Sequence, residues 1–475
     1  MTSEESFLPS PRYFGELAGR GSRVTRPYSV VDLFCGCGGL SQGFSLTGRF
    51  RSVAALDNNP AATRAYSHNF PECSHVITSD IRGETTKRQI IEALEEAGID
   101  QLDCLVGGPP CEGFSQNRTD KNGGKAGRVT KFTDDPRNGL FKWFIELAAE
   151  VKPKVVLIEN VPDLLRHRDG ETAQDIFASL AEAGYRAKAR VLNSADYGVP
   201  QLRRRAFFLA VREEDVRATG IDVIFPNPTH SAFPLGSEEL DSEESWLPGD
   251  MGYWPTVREA IGDLPSAASK SAGTAAPVEY DPKLEALSSL RKFYRQGSTQ
   301  SIANHIARDL GPNSLKRVQE IDALSSGDLA ERRKAREHYH YAYARLRWAE
   351  PARTITKFVY HVGSGMFCHP DFDRSLTMRE AARIQTFPDS YSFPAETIRV
   401  TSSLVGSAVP PLLASTLARE ILKYLDLTRA KNLSSEERSR IRVLKGDAVL
   451  RRWENATWEP GKDQKDDSQV AVTLF

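Results

Sequence analysis

The residue best suited to covalent chemistry is Cys111, which ends the stretch Gly107-Gly108-Pro109-Pro110-Cys111. The apolar segment before it, 102–106, is typical of a short strand. Two glycines permit a tight turn close to a ligand, and two prolines fix φ and remove backbone donors. A cysteine on so stiff a turn is placed as a nucleophile would be, although a lone cysteine is as often a small buried hydrophobic residue.

Glu159 is a second candidate for chemistry, because it directly follows an apolar strand predicted for 154–158. A carboxylate at the C-terminal end of a parallel strand lies on the edge of the sheet where ligands bind. Pro162 follows shortly, so the same carboxylate is equally suited to cap a helix. The residues alone leave catalysis and capping as alternatives.

Three polar residues alternate just before a strand predicted for 206–211. If the chain is extended there, Gln201, Arg203 and Arg205 face the same side. Such a row suits contacts with phosphates or with the edges of bases. The alternative is an ordinary solvated charge run.

These residues need a sheet to position them, and the first part of the chain predicts one. An apolar strand at 28–34 runs into a glycine-rich turn that contains Gly36 and Gly38, and a short helix follows. Asp57 ends a second strand, and Asp80 follows a third. A glycine-rich turn and acids at adjacent strand ends predict a doubly wound α/β sheet that binds a nucleoside. The turn contains neither Gly-Lys-Ser/Thr nor Gly-x-Gly-x-x-Gly, which favours a methionine-linked nucleoside over a dinucleotide.

Composition bounds the remaining possibilities. The chain has 475 residues, a net charge of −1 and six cysteines without a CxxC pair, so we expect no metal site and no disulfides. We find no signal peptide and no apolar run of membrane-spanning length, and we expect a cytoplasmic protein. Any surface for nucleic acid must be local, because the chain as a whole is not basic.

Two basic stretches are candidates for that surface. Residues 112–137, beside Cys111, carry six basic residues and are predicted to form a lid over a polyanion, with a solvated loop as the alternative. Residues 283–347 are predicted to be helical and basic. Within them, 331–347 interleaves basic residues with tyrosines, as nucleic-acid surfaces do, with a solvated helix as the alternative.

The motifs together resemble those of the DNA (cytosine-5)-methyltransferases in order and spacing. The resemblance rests on Phe34-x-Gly36-x-Gly38-Gly39, Pro109-Pro110-Cys111, Glu159-Asn160-Val161, Gln201-x-Arg203-x-Arg205 and two C-terminal blocks, 374–388 and 406–411. It covers roughly residues 29–425. Two residues depart from the family pattern: Glu112 stands where glutamine is commoner, and Ser407 stands where asparagine is usual, which could alter a cofactor contact.

The resemblance implies a mechanism. Cys111 adds to carbon 6 of cytosine, so that carbon 5 becomes nucleophilic enough to take a methyl group from a sulfonium. Glu159 protonates the base, and Arg203 and Arg205 hold its oxygen side or a nearby phosphate. The base must be flipped out of double-stranded DNA, and the 112–137 loop is expected to close on it.

The resemblance also implies S-adenosyl-L-methionine as the cofactor. The residues implied to contact it are Phe34, Gly36, Gly38, Leu40, Asp57, Asn58, Asp80, Ile81, Pro109, Leu140, Ser407 and Val409. Contacts with DNA are predicted for Ser115, Arg118, Gln201, Arg332, Arg333, Lys334, Arg336, Arg345 and Arg347. Further candidate partners are a companion restriction endonuclease or defence proteins, and we expect a monomer.

By the same resemblance, residues 29–212 and 370–425 form the catalytic domain, with a Rossmann-like methyltransferase sheet, and 213–369 form an inserted target-recognition region. Residues 1–28 are predicted to be an N-terminal arm, 226–282 to be loops and 426–475 to be a charged tail. Two rival classes remain. An RNA cytosine methyltransferase would be expected to have a more compact insert, and a catalytically silent relative would be expected to lack Cys111 or Glu159.

Overall fold

A computed structural model describes most of the chain. The described residues are 26–110, 139–232, 252–267, 278–279, 288–297, 301–326, 341–395, 397–430 and 471–473. The predictions for Cys111, the 112–137 lid with Ser115 and Arg118, and Arg332, Arg333, Lys334 and Arg336 therefore lie outside the described residues.

The chain forms two compact units. We call the first the sheet unit; it lies within residues 28–193, 204–227 and 413–475. We call the other the second unit; it contains residues 194–203 and 228–412. This division differs from the predicted catalytic domain, because 194–203 and 370–412 cluster with the insert rather than with the sheet.

The sheet unit is built on eight strands. They are β1 (Tyr28–Leu33), β2 (Phe50–Asp57), β3 (His75–Thr78), β4 (Cys104–Gly107), β5 (Val155–Asn160), β6 (Tyr185–Asn193), β8 (Arg204–Arg212) and β14 (Ala471–Thr473). Their order is β14-β6-β8-β5-β4-β1-β2-β3. The pairs from β3 to β5 are parallel, and β8, β6 and β14 join antiparallel. The predicted doubly wound α/β sheet is confirmed.

Burial explains why the central strands are recognisable in the sequence. β1 and β4 are buried along their whole length, as strands covered on both faces are, so apolar residues dominate them. The polar Ser29 within β1 has a partner, because its backbone N–H and its hydroxyl both donate to Asp103 Oδ2, at 2.9 and 3.1 Å. Lys154 Nζ lies 2.8 Å from the other oxygen of Asp103, so one carboxylate ties the starts of three strands together.

Helices accompany the strands of the sheet unit. They are Gly39–Ser45, Pro60–Asn69, Glu84–Glu96, Leu140–Val151, Glu171–Glu182, Glu213–Thr219 and the C-terminal Pro411–Ala430. The hydroxyl of Tyr28 donates to Asp426 Oδ1 at 2.7 Å, and Arg49 Nη2 donates to the same oxygen at 2.7 Å. These two bonds fasten the late helix to the first strands. The tail is therefore ordered at least to Ala430, beyond the predicted boundary at 425.

The second unit contains short strands and helices. The strands are β7 (Gln201–Leu202), β9 (His230–Ser231), β10 (Gly252–Tyr253), β11 (Val278–Glu279), β12 (Ser301–Ile302) and β13 (Ala352–Arg353). The helices are Val257–Ile261, Ser289–Arg295, Pro312–Ser326, Met378–Ile384 and Ile398–Ser407.

Three expectations for this unit need correction. Residues 226–282 are not only loops, because they hold three short strands and a helix that begins with a capping box at Thr256. The pattern Arg353-Thr354-Ile355-Thr356 predicts a strand, but the strand observed is shorter, Ala352–Arg353. Residues 341–347 are not helical; Tyr341 and Tyr343 have positive φ angles of 69° and 61°, which no α-helix allows.

A buried ionic network holds the centre of the second unit. Arg383 is fully buried, and its guanidinium donates to both oxygens of Asp389, at 2.8 and 2.7 Å, and to Asp263 at 2.5 Å. Arg374 makes a bidentate pair with Glu380, at 2.8 and 2.7 Å. Buried charges are tolerated only when they are paired in this way, so the 374–388 block has an architectural role.

One apolar stretch, Ile398–Arg429, is long and apolar enough by composition to cross a membrane. Two thirds of its most apolar window is buried inside the protein, as expected for helices of a core.

Candidate active site

A glycine and two prolines shape the turn that leads to Cys111. A Cβ atom on Gly107 would lie 2.1 Å from the carbonyl oxygen of Leu33, so only glycine permits β4 to pass so close to β1. The turn is then fixed from the other side, because Asn160 Nδ2 donates to the carbonyl of Pro109 at 3.1 Å. The Pro-Pro segment is therefore tied to the end of β5.

Glu159 lies at that same strand end and is paired with Arg205. Arg205 Nε lies 2.9 Å from Glu159 Oε1, and only 18% and 12% of the two side chains are exposed. A Cβ atom on Gly108 would lie 3.0 Å from Glu159 Oε2, so the carboxyl group faces the turn before Cys111. The structure thus brings together the predicted acid, one predicted arginine and the turn that carries the predicted nucleophile.

The predicted contacts of Gln201 and Arg203 with base or phosphate require a correction. Both side chains are buried, with exposed fractions of 0% and 1%. Arg203 Nη1 donates to the carbonyls of Ile355 and Gly406, at 3.0 and 3.1 Å. Gln201 Nε2 donates to Gln385 Oε1 at 2.8 Å, while its Oε1 accepts from the N–H of Ile355. Both residues therefore hold segments of the second unit together. Their side chains are bound inside that unit and are not available to form a ligand-binding row with Arg205.

The glycine-rich turn adopts the conformation that its composition requires. Gly36 and Gly38 have positive φ angles of 54° and 89°, and Phe34 also lies in the left-handed region at 57°. Asp57, at the end of β2, accepts the N–H of Gly36 at 2.9 Å and that of Asn59 at 2.8 Å. Burial raises the pKa of the Asp57 carboxyl, while these backbone bonds lower it. The carboxylate keeps free lone pairs that could accept hydroxyl groups.

Asp32, within β1, is a buried carboxyl behind this turn. It is 1% exposed, and Ser41 Oγ donates to its Oδ2 at 2.6 Å, while Tyr66 donates to Ser41 at 2.7 Å. Burial raises the pKa of Asp32 to about 7, against the opposing hydrogen bonds from Ser41. Its Oδ1 has no hydrogen-bond partner in the described part of the chain.

The other predicted cofactor residues of the sheet unit lie just after strand ends, as Asn58, Asp80 and Ile81 do, or at the starts of helices, as Leu40 and Leu140 do. Ile81, Leu40 and Leu140 are buried apolar residues, while Asn58 is exposed. Asp80 follows β3 and is bound by Arg82, whose Nε and Nη2 donate at 3.0 and 2.6 Å. The hydrogen bonds from Arg82 hold the pKa of Asp80 below its usual value.

Ser407 and Val409 belong to the second unit. Ser407 ends the helix Ile398–Ser407 with an exposed side chain, and Val409 is buried. Their predicted contact with the cofactor stays a prediction, as does the effect of serine at position 407.

The described members of the predicted DNA-contacting set already have partners. Arg345 pairs with Asp322 at 2.7 Å and with Asp373, and it also donates to the carbonyls of His369 and Phe372. Arg347 pairs with Glu350 at 2.8 Å. Arg345 is thus a structural cross-link, since its charge is balanced by two carboxylates.

Comparison with known proteins decides the family. The family model of the C-5 cytosine-specific DNA methylases matches residues 28–423. The chain belongs to this family. The methylase is 31% identical over 449 residues to the type II methyltransferase M.AgeI of Thalassovita gelatinovora, covering 82% of this chain and 98% of that protein.

A second relative and one solved structure are also similar to this chain. The type II methyltransferase M1.HphI of Haemophilus parahaemolyticus is 31% identical to this chain over 396 residues. The match covers 83% of this chain and 87% of M1.HphI. A crystal structure described as a DNA modification methyltransferase encoded within an E. coli prophage superposes with a TM-score of 0.59 at 22% identity, covering 84% of this chain and 99% of the other. That likeness confirms the fold. The relatives and the family model together make the chain a DNA cytosine-5-methyltransferase.

Sequence patterns did not predict a role for two residues of the site, Asn160 and Asp32. Asn160 was visible as the middle residue of Glu159-Asn160-Val161, but its tie to Pro109 depends on the pairing of β4 with β5. Asp32 was hidden inside an apolar strand. Among the described residues, no group of three or more His, Cys, Asp or Glu side chains is arranged to hold a metal ion.

Proposed function

We propose that the methylase transfers a methyl group from S-adenosyl-L-methionine to carbon 5 of a cytosine in double-stranded DNA, through a transient bond between Cys111 and carbon 6 of a flipped-out base. The observation that carries this proposal is the Glu159–Arg205 pair beside the turn that ends at Cys111. Addition of a thiolate to an aromatic base requires an acid near the nucleophile, and Glu159 is held beside the turn that leads to Cys111.

The residues of the sheet unit fit the proposed cofactor. Acids lie at or just after the ends of β2 and β3, and the glycine-rich turn is pinned to Asp57 by a backbone bond. Asp57 would hold the ribose hydroxyls, and Phe34, Ile81 and Leu140 would contact the apolar parts. S-adenosyl-L-methionine would supply an electrophilic methyl group at this edge of the sheet.

Cys111 and Glu159 carry the covalent and proton-transfer steps of the proposed reaction. The Cys111 thiolate forms a bond to carbon 6, and Glu159 gives a proton to N3 of the base, so that carbon 5 gains electron density. After methylation, Glu159 recovers the N3 proton and solvent water takes the proton on carbon 5. The electron pair of that C–H bond re-forms the double bond between carbons 5 and 6, and the bond between sulfur and carbon 6 breaks to release the Cys111 thiolate. Arg205 keeps the Glu159 carboxyl in place throughout, because its Nε contacts Glu159 Oε1 directly.

We further propose that the methylase is the modification partner of a restriction endonuclease acting in the cytoplasm. The support is similarity to proteins that are named type II methyltransferases. The test is bisulfite sequencing of DNA from cells that express the protein. A fixed short sequence methylated at nearly every occurrence supports the proposal, and unmethylated DNA from cells that contain soluble protein contradicts it.

A further inference from the structure

Two strained tyrosines mark a short surface segment of the second unit. Tyr341 and Tyr343 both have left-handed φ angles, a conformation that costs free energy for residues other than glycine and persists only where the surroundings impose it. The N–H of Tyr343 donates to the carbonyl of Val362 at 2.8 Å, and the N–H of Ala344 donates to the carbonyl of Tyr341. The segment is therefore held in place by hydrogen bonds rather than by a helix.

The ring and the hydroxyl of each tyrosine contact one arginine side chain. Arg353 lies with its Cζ 4.4 Å from the ring centroid of Tyr341 and donates from Nη2 to the hydroxyl at 3.0 Å. Arg317 lies with its Cζ 5.1 Å from the ring of Tyr343 and donates from Nη1 to that hydroxyl at 2.7 Å. A tyrosine restricts the orientation of a guanidinium in this way without neutralising its charge.

Tyr343 is also packed closely against Gly363. A Cβ atom on Gly363 would lie 2.7 Å from the Tyr343 hydroxyl oxygen and 2.9 Å from Cζ. The absence of a side chain at position 363 thus lets the ring lie where it can support Arg317. The two tyrosine–arginine pairs are built features of the unit rather than chance contacts of long side chains.

Arg317 and Arg353 differ from several other arginines of the second unit in having no carboxylate partner among the described residues. Arg345, Arg347 and Arg374 each have carboxylate partners within the second unit. Arg317 and Arg353 are exposed, and within the described part of the chain neither forms an ion pair with a carboxylate. Both arginines contact the same short segment, 341–343, so two oriented positive charges without a carboxylate partner among the described residues flank it, in a chain whose net charge is −1.

We propose that Arg317 and Arg353 bind phosphates of the DNA backbone, with Tyr343 and Tyr341 as the positioning residues beneath them. The proposal rests on the function proposed above, in which DNA is the substrate. It assigns the phosphate contacts to Arg317 and Arg353 instead of Arg345 and Arg347, because the latter two are paired with carboxylates. Guanidinium groups bind phosphate oxygens as a fork, and each phosphate contact releases a counterion. Phosphate contacts fix the position of a protein on a duplex without reading its sequence.

The experiment measures the affinity of the full-length protein for DNA at several salt concentrations. The variants are Arg353→Gln, Arg317→Gln and the double variant, each with a duplex that contains a mapped methylation site and with an unrelated duplex. We expect each single variant to weaken binding to both duplexes alike. The slope of log affinity against log salt should fall by about one unit per arginine. Arg353→Lys keeps the charge and should keep most of that slope.

Arg347→Gln is the matched control, because Arg347 is 62% exposed in the same unit but is paired with Glu350. It should leave affinity and slope unchanged. Tyr341→Phe keeps the ring and removes the hydroxyl acceptor, so it should weaken binding less than Arg353→Gln does.

Three outcomes would overturn the proposal. The first is an unchanged affinity and slope in the double variant while the wild type binds and methylates DNA. The second is a loss confined to the duplex with the methylation site, which would make the arginines readers of bases. The third is an equal loss in Arg347→Gln. Failure of the proposed function would look different, because the wild type itself would then leave DNA unmethylated.

Discussion

Arg205 Nε lies 2.9 Å from Glu159 Oε1, and the Gly108 backbone lies against the other oxygen of the same carboxyl group. The carboxyl is thus held between an arginine from β8 and the turn from β4. Both strands neighbour β5, which carries Glu159, so the sheet itself brings the three elements together. The capping alternative for Glu159 is not observed in the described residues, because the helix that begins at Pro162 has no side-chain cap.

The first prediction concerns the proton transfer proposed for Glu159. Glu159→Gln preserves shape and removes the acid, so methylation should slow by about 10²–10⁴-fold in single-turnover assays. Affinity for DNA and for S-adenosyl-L-methionine should change little. An unaltered rate would assign Glu159 a structural role.

The second prediction contrasts two adjacent glycines. Gly108→Ala pushes only against the end of the Glu159 side chain, so the protein should fold normally while methylation falls by roughly 10²-fold, as a small misplacement of a reacting group can cause. Gly107→Ala places Cβ against the backbone of β1 and should destabilise the fold by about 1–3 kcal/mol or more. Gly311→Ala is the control, since its Cβ would meet no atom within 4 Å. Thermal unfolding and single-turnover rates together check all three, and a normal rate for Gly108→Ala would count against the proposed position of Glu159.

A third prediction tests the positioning role assigned to Arg203. Arg203→Lys cannot donate to the carbonyls of Ile355 and Gly406 from the same positions, so the free energy of unfolding should fall by roughly 1.5–3 kcal/mol. The salt slope of DNA binding should stay at the wild-type value. A reduced slope with unchanged stability would instead support the phosphate contact predicted from sequence.

The fourth prediction follows from the buried carboxyl of Asp32. Its pKa of about 7 in the folded state exceeds the ordinary value of 3.8, so the folded protein holds this proton more tightly than the unfolded chain. The contribution of Asp32 to stability should therefore decrease as pH rises from about 4 to about 7, and then level off. Asp32→Asn cannot titrate. The wild type should lose stability relative to Asp32→Asn over that range in urea unfolding, and a constant difference between pH 5 and 7.5 would refute the assignment.

Sequence patterns predicted the sheet well because its signals are local. The strand predicted for 154–158 is observed at Val155–Asn160. The apolar spacing of 138–151 predicts an amphipathic helix, which is observed at Leu140–Val151. The apolar runs and glycine turns that fix these elements lie within a few residues of each other.

Partners from distant segments could not be predicted. Arg345 looked like an available cation, yet the carboxylates that bind it, Asp322 and Asp373, lie more than twenty residues away on either side. Arg203 looked like a surface residue, yet its acceptors lie at positions 355 and 406. Only the folded second unit shows which arginines keep a free charge.

The most direct test of the central claim is covalent capture by a duplex in which 5-fluorocytosine replaces the cytosine of a mapped methylation site. Fluorine cannot leave as a proton does, so the wild type with S-adenosyl-L-methionine should form a covalent complex that survives denaturation. Mass spectrometry of that complex should locate the attached DNA at Cys111. Cys111→Ser should bind S-adenosyl-L-methionine normally and form no such complex. A protein that methylates ordinary cytosine but yields no complex, or yields one at another residue, would contradict the account.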